Sequence, residues 1–327
     1  MASWGIETWD ANGVDNNTGF VRVLVLGTAT LTDGQTTGSW SYTVPAGMRI
    51  DYLFQNTSAT GTTSRRRFTV SGNTISISDA GSDYSAGTEP RSAGRVVFLP
   101  KEKIMAEYGA YLTDQQGNPY YILDTLPLCL IEKKTFSITG GRGISVIRPN
   151  DSTFRLVFCR TNVAGSSFSY YLDTVTTGSY VVDSRGAASG FTLDVYVFGY
   201  QYQTPPKYGL AIWDSAGRCV ITNETKVLRG VEVVGNQADP NASGYNASAT
   251  LSGEWAVAPD VMGYFTGVIN QGGQVYPVRA VAYTSAYISG SNTVIKSEFV
   301  GDSGSGASNV QFVNQRNTIK AIDISRY

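Results

Sequence analysis

The chain has 327 residues, a formal net charge of −1, 16% charged residues and no histidine. Without an imidazole it cannot build a Ser-His-Asp triad, and most zinc, copper and non-haem iron sites are excluded as well. The charge balance argues against nucleic acid as a partner, because that binding needs a basic surface. We therefore predict no catalytic residues, no cofactor, no metal and no nucleic-acid partner.

Short runs of alternating β-branched and aromatic residues recur along the chain and predict strands with a period of two. In chain order they are VRVLVL (21–26), TISIS (74–78), RLVF (155–158), TLDVYVF (192–198) and TIKAIDI (318–324). The best helical candidate, KEKIMAEYGAY (101–111), gives at most a turn or two. No run approaches the ~18 apolar residues of a membrane span. The sequence therefore predicts an all-β fold without a membrane span.

One ten-residue motif occurs three times, as WGIETWDANG (4–13), YGAYLTDQQG (108–117) and YGLAIWDSAG (208–217). Each copy has the form of a strand, an Asp-x-x-Gly turn and a second strand, so each predicts a β-hairpin. The aspartate accepts hydrogen bonds from backbone N–H groups in the turn, and the last glycine permits positive φ. We interpret the repeated residues as structural rather than catalytic: Gly5, Asp10, Gly13, Gly109, Asp114, Gly117, Gly209, Asp214 and Gly217.

The repeat also sets the expected domain organisation. Each unit ends in a strand-like run, and prolines such as Pro100 and Pro205 lie at the junctions. We predict three tandem immunoglobulin-like β-sandwich domains of about 100 residues, over 1–102, 103–205 and 206–327. The third is expected to have longer loops than the others.

Two short segments suggest chemistry that the composition does not support. GDSGSG (301–306) carries the pattern found around the nucleophilic serine of trypsin-like proteases, which makes Ser303 a candidate nucleophile. Because no histidine is available as its base, we interpret the segment as a Gly/Ser loop between strands. We interpret the basic cluster TSRRRF (63–68) as a solvated strand face rather than a phosphate site.

Cysteine and tyrosine usage favours structural roles. Cys129, Cys159 and Cys219 lie far apart in apolar, strand-like runs, which predicts buried free thiols. The tyrosine-rich run SSFSYYLDTVTTGSYVV (166–182) suits either a recognition surface or half-buried strands, and its alternation favours strands.

The third unit contains a candidate recognition loop. The polar segment GNQADPNASGYNASATLSGE (235–254) includes Tyr245 and is followed by Trp255. Aromatic side chains beside a polar loop suit sugar binding, whereas the alternative is a loop packed on the sandwich.

The hairpin openings WGIETWDANG and YGLAIWDSAG resemble those of tail proteins of tailed bacteriophages, including tail-tip, tail-fibre and minor tail proteins. TLDVYVFG (192–199) resembles the closing strand of the same modules, while Thr113 departs from the pattern in the middle copy. The resemblance implies a structural virion protein, not an enzyme, made in the bacterial cytoplasm and located in the virion. It further implies other tail proteins as partners and a symmetric homo-oligomer.

The sequence is also compatible with two other functions. A host-attachment adhesin would bind a surface glycan or receptor through the loops of the third unit. A capsid decoration protein would have the same fold and differ only in location. A glycan depolymerase fits less well, because the strand spacing does not indicate a long β-helix with clustered acids.

Overall fold

The structure is a computed structural model that describes residues 24–28, 35, 37–43, 48–54, 66–79, 94–100, 126–151, 153–186, 190–208, 211–213, 216–300 and 306–327. These residues are mostly strand, and the helical content among them is two short 3-10 turns, at Gly244–Asn246 and Ile324–Arg326. The all-β prediction is confirmed. The helical candidate 101–111 lies outside the described residues.

The described residues of the first third of the chain form six strands. They are β1 Leu24–Thr28, β2 Gly38–Ser41, β3 Met48–Phe54, β4 Arg66–Ser71, β5 Thr74–Asp79 and β6 Gly94–Pro100. They form two antiparallel sheets with the orders β1-β6-β3 and β2-β5-β4. In β5 the isoleucines are buried and the serines between them are more exposed, as the period-two pattern of TISIS predicts.

Six strands follow in the middle third. They are β7 Leu128–Ile138, β8 Arg142–Pro149, β9 Arg155–Thr161, β10 Ser167–Asp173, β11 Ser179–Arg185 and β12 Phe191–Tyr200. The order β10-β11-β8 forms one sheet, while β12 pairs with both β7 and β9. The tyrosine-rich run is therefore a hairpin of β10 and β11, in which Tyr170 is buried.

The last third carries ten strands. They are β13 Ala211–Trp213, β14 Cys219–Thr222, β15 Val231–Val234, β16 Ser248–Ser252, β17 Trp255–Val257, β18 Val261–Gln271, β19 Gln274–Ser289, β20 Asn292–Val300, β21 Ser308–Asn314 and β22 Ile319–Asp323. β13 and β14 pair antiparallel, and Gly217 between them has a φ of +74°. This is the part of the third repeated hairpin that the structure describes.

One large sheet combines strands from both sides of residue 205. Among the described residues it has eleven strands, with the path β15-β22-β17-β9-β19-β18-β21 and with β7, β12, β16 and β20 attached. Bridges from β9 join Cys159 to Val257 and Thr161 to Tyr287. The middle and last thirds of the chain are therefore hydrogen-bonded to each other through their backbones.

The hydrophobic cores follow the same pattern. The largest cluster combines Phe168 and Leu193 with Met262 and Ile295, which lie on opposite sides of residue 205. A second cluster joins Leu53 of β3 to residues of all three predicted units. The first unit also has a cluster of its own, around Ile50, Phe68 and Ile75. The division at 102 and 205 stays a prediction, and the described strands of the second and third units share their cores.

The three cysteines are buried free thiols, as the sequence predicts. Burial raises the pKa of the Cys159 thiol well above its ordinary value and also raises that of Cys129. Both groups therefore stay protonated near neutral pH and behave as small apolar side chains.

Candidate functional site

A cleft of about 450 Å³ lies where strands of the first third meet the C-terminal part of the large sheet. Ligand pockets in proteins commonly have volumes of roughly 300–1,000 Å³. Its walls come from β3, from the β4–β5 turn, from β15 with the loop after it, and from the residue before β22. The lining residues are Arg49, Ile50, Asp51, Tyr52, Val70, Gly72, Asn73, Val233, Gly235, Asn236, Gln237 and Thr318.

One wall of the cleft is formed by Gln237. Its side-chain amide makes the hydrogen bonds to β4 that the backbone of a neighbouring strand would otherwise make. Gln237 Nε2 donates a hydrogen bond to the Phe68 carbonyl, and Gln237 Oε1 accepts one from the Val70 N–H at 3.4 Å. The edge of β4 is thereby covered by the loop after β15. Covering an edge in this way keeps it from pairing with another chain.

A buried ion pair joins β3 to β22 beside the cleft. Lys320 Nζ lies 2.6 Å from Asp51 Oδ2, and only 5% and 7% of the two residues are exposed. Lys320 also donates to Thr318 Oγ1 at 2.7 Å, while Asp51 Oδ1 accepts the Tyr52 N–H at 2.8 Å. A buried pair with such additional hydrogen bonds keeps both charges satisfied, so removing one partner is costly.

The ion pair continues into a buried polar chain. Tyr52 donates its hydroxyl to Asn317 Oδ1 at 2.8 Å, and Asn317 Nδ2 donates to the Val261 carbonyl at 2.8 Å. Asp260 Oδ1 accepts the Val261 N–H at 2.7 Å and lies 3.5 Å from Asn317 Nδ2. Burial raises the pKa of Tyr52 and that of Asp260 well above their ordinary values. Strand β3 is thus tied to β18 as well as to β22.

The cleft lining contains two charged residues, Asp51 and Arg49, and Arg49 forms no ion pair among the described residues. Its Nε is buried and has no hydrogen-bond partner in the part of the chain that the structure describes. Because Lys320 neutralises Asp51, the lining keeps one uncompensated positive charge. An anionic ligand in the cleft would balance this charge and pair with the guanidinium.

A second surface lies at the free edge of the large sheet. β21 pairs with β18 on one side and ends the path of the sheet within the described residues. Its sequence, SNVQFVN, contains no charge and no proline, and its first five residues are exposed. Asn309 has a φ of +52° where the pairing register shifts, so the regular part of this edge is 311–314.

Aromatic side chains cover the sheet face next to this edge. Phe312 of β21 faces Phe265 of β18 across the strand pair, with ring centroids 5.6 Å apart. Phe299 and Tyr245 complete the cluster at 5.6–6.0 Å from these rings. Phe312 is 56% exposed and Phe299 is 37% exposed, so the cluster presents an apolar surface beside an unpaired strand.

Most of the repeated turn residues lie outside the described residues. These are Gly5, Asp10, Gly13, Gly109, Asp114, Gly117, Gly209 and Asp214, and Ser303 lies outside as well. Gly217 is described, and no atom lies within 4 Å of the position that a Cβ would take. Its positive φ is therefore the reason for glycine here, since an L-residue would be strained.

The structure places Tyr245 and Trp255 at opposite ends of β16 rather than on one platform. Tyr245 belongs to the aromatic cluster, while Trp255 donates its indole N–H to the Ser252 carbonyl at 2.8 Å. The five residues of β16 separate them by ~17 Å. The loop before β16 packs on the sheet, because Ser243 is buried and Gln237 binds β4.

Sequence reasoning missed the cleft residues Arg49 and Asp51 and also Lys320, which pairs with Asp51 beside the cleft. A signal for two of them exists, because Asp51 in MRIDYLF and Lys320 in TIKAIDI interrupt apolar strand runs. Charges are seldom buried unless they are paired, so each charge predicts a partner. The identity of the partner requires the fold, since the two residues lie at opposite ends of the chain.

No protein-family model matches the chain, and searches of curated proteins and of solved structures found no match. Among the described residues, no cluster of three or more His, Cys, Asp or Glu side chains could hold a metal ion. The same residues include no helix long and apolar enough to cross a membrane.

The raised pKa of Asp260 predicts a specific pH dependence of stability. An unfolded aspartate has a pKa of about 3.9, so the folded state binds the Asp260 proton more tightly than the unfolded state. The resulting stabilisation is fully present below pH ~3.9 and is lost as pH rises through the folded pKa. We expect Asp260→Asn, which resembles the protonated acid, to raise the free energy of unfolding at neutral pH. Urea denaturation of both proteins across a pH series measures this.

Asp173 provides a control of opposite sign. Its carboxylate accepts the N–H groups of Thr176, Val175 and Thr177, and these hydrogen bonds lower its pKa. Its stabilisation is present above the unfolded pKa and is lost as pH falls through the folded one. Asp173→Asn should therefore destabilise the protein at neutral pH and lose this effect in acid. Parallel pH profiles for wild type and Asp260→Asn would contradict the account of Asp260.

Proposed function

We propose that this protein is a structural, non-enzymatic component of a bacteriophage virion that assembles at the tail with other tail proteins. The observation that carries the assembly role is the uncharged edge strand β21 beside its exposed aromatic cluster. The tail location rests on the resemblance of the repeated hairpin openings to phage tail proteins. The virion is accordingly the proposed location.

The edge strand supports assembly because proteins normally protect such edges. Common protections are charged residues, prolines, bulges or a covering segment. In this chain Gln237 covers the edge of β4. On β21, Arg67 Nη2 donates to the Asn314 carbonyl at 3.3 Å, whereas residues 311–313 have no such cover among the described residues. A neighbouring chain that adds a strand here would satisfy the backbone groups and bury Phe312.

A second copy of the chain fits this edge. Two β21 strands can pair antiparallel across a two-fold axis, which gives a closed, symmetric interface. The absence of charge in SNVQFVN means that identical strands meet without electrostatic repulsion.

We expect the purified protein to self-associate reversibly and Phe312→Lys to weaken that association by about tenfold or more, corresponding to at least ~1.4 kcal/mol. The substitution removes an apolar contact and places like charges opposite each other. Sedimentation-equilibrium measurements over a concentration series give the dissociation constants. Val310→Lys on the same edge should act in the same direction.

The matched control is Val275→Lys, which adds the same charge at a 62% exposed valine in β19. It should leave association unchanged. A wild-type protein that stays monomeric at all concentrations, without binding any other tail protein, would contradict the assembly role.

Location is tested separately by immunogold labelling of intact phage particles. Gold at the distal tail supports the proposed tail role. Gold over the head would instead assign the protein to capsid decoration. Absence of the chain from disrupted virions would contradict a virion role altogether.

One observation favours a second candidate, a host-attachment adhesin. The cleft beside Asp51 and Lys320 is large enough for a small ligand and carries the unpaired Arg49. A structural tail protein can also bind the host surface, so the two functions are compatible.

A further inference from the structure

We propose that the cleft between β3 and the loop after β15 binds an acidic saccharide, meaning a sugar that carries a carboxylate, sulfate or phosphate group. The inference rests on the host-attachment candidate and names the ligand class of that function. It does not depend on the edge strand β21, which contributes no residue to the cleft.

The charge of the ligand follows from Arg49. The guanidinium lines the cleft and forms no ion pair among the described residues, and its buried Nε lacks an acceptor. The carboxylate of Asp51 is already held by Lys320 at 2.6 Å and does not compete for Arg49. A planar guanidinium presents several N–H donors to a carboxylate, sulfate or phosphate group.

The rest of the ligand follows from the polar wall. Asn73 and Asn236 bring side-chain amides to the lining, and Asn236 uses its Oδ1 to accept the Ala238 N–H at 3.1 Å. Its amide N–H groups have no hydrogen-bond acceptor in the described part of the chain and can donate to sugar hydroxyls. A volume of about 450 Å³ exceeds what a bare inorganic anion needs, so the lining suits a larger, hydroxylated molecule.

A nucleotide fits the same cleft poorly. Base recognition commonly uses stacking on an aromatic ring. The aromatic residue in the lining is Tyr52, whose ring packs against Phe68 with centroids 4.9 Å apart and has Lys320 Nζ 5.5 Å from its centroid. The ring is also nearly fully buried. The ligand is therefore held by hydrogen bonds and one charge rather than by stacking.

The test uses the full-length protein and glucuronate as the first probe, with glucose as the neutral comparison. The Arg49 Nε–Hε signal in a nitrogen–proton correlation spectrum is assigned by its loss in Arg49→Gln. We expect glucuronate to shift this signal saturably and glucose to leave it unchanged. Calorimetric titration should show that Arg49→Gln weakens glucuronate binding by about tenfold or more, because a hydrogen bond to a charged group is lost.

Two variants keep the result interpretable. Arg279→Gln removes the same side chain from β19, outside the cleft, and should bind glucuronate as tightly as wild type. Arg49→Lys retains the charge without the planar fork and should bind with intermediate affinity. Both variants are first checked for folding, by requiring that their circular dichroism spectra match that of wild type. The comparison of glucuronate with glucose uses wild type alone and so does not depend on the folding of any variant.

Further probes distinguish the source of the negative charge. Glucose 6-phosphate binding that shifts Arg49 more strongly than inorganic phosphate does supports a phosphorylated sugar within the proposed class. Inorganic phosphate binding as tightly as the sugar phosphate, with no response to glucuronate, would overturn the saccharide assignment. Absence of any Arg49 shift with all acidic sugars at millimolar concentration would overturn the site itself, while self-association through β21 would be unaffected.

Discussion

The buried ion pair of Asp51 and Lys320 is the interaction on which the arrangement of the described strands depends. It links β3, from the first third of the chain, to β22, the last strand. The hydrogen bond from Tyr52 to Asn317 extends the link toward β18. Arg49 lies on β3, and Asn236 follows β15, which pairs with β22. The ion pair therefore helps to hold the two sides of the cleft together.

Two of the sheet edges in the described part of the chain, those of β4 and β21, are covered to different extents, and this difference separates the two proposed roles. Gln237 covers the edge of β4 and at the same time forms a wall of the cleft, so edge protection and ligand binding use one loop. On β21, Arg67 covers only the Asn314 carbonyl, while residues 311–313 have no equivalent side chain among the described residues and Phe312 is exposed beside them. The two proposed roles, recognition of a small ligand and assembly with another chain, therefore use separate surfaces.

The sequence predicts the strands well because alternation is a local signal. TISIS, RLVF, TLDVYVF and TIKAIDI all lie in strands, and the three thiols are buried as their apolar contexts indicate. Strand pairing is not local, and neither the bridge between Cys159 and Val257 nor the shared cores can be read from periodicity. The cleft was missed for the same reason, since its walls come from segments far apart in the chain.

The measurement that tests the central link most directly is calorimetric unfolding of wild type and Lys320→Met. We predict that wild type unfolds in one transition whose calorimetric and van't Hoff enthalpies agree. The reason is that the second and third predicted units share cores, and Leu53 and the Asp51–Lys320 pair join the first unit to them. Lys320→Met should lower stability by about 3–5 kcal/mol, since Asp51 is left buried and unpaired. Lys296→Met, which breaks the more exposed pair with Glu298, should cost only about 0–1 kcal/mol. Two results together would contradict the account. Wild type would unfold in separate transitions, and Lys320→Met would lower the free energy of unfolding no more than Lys296→Met does.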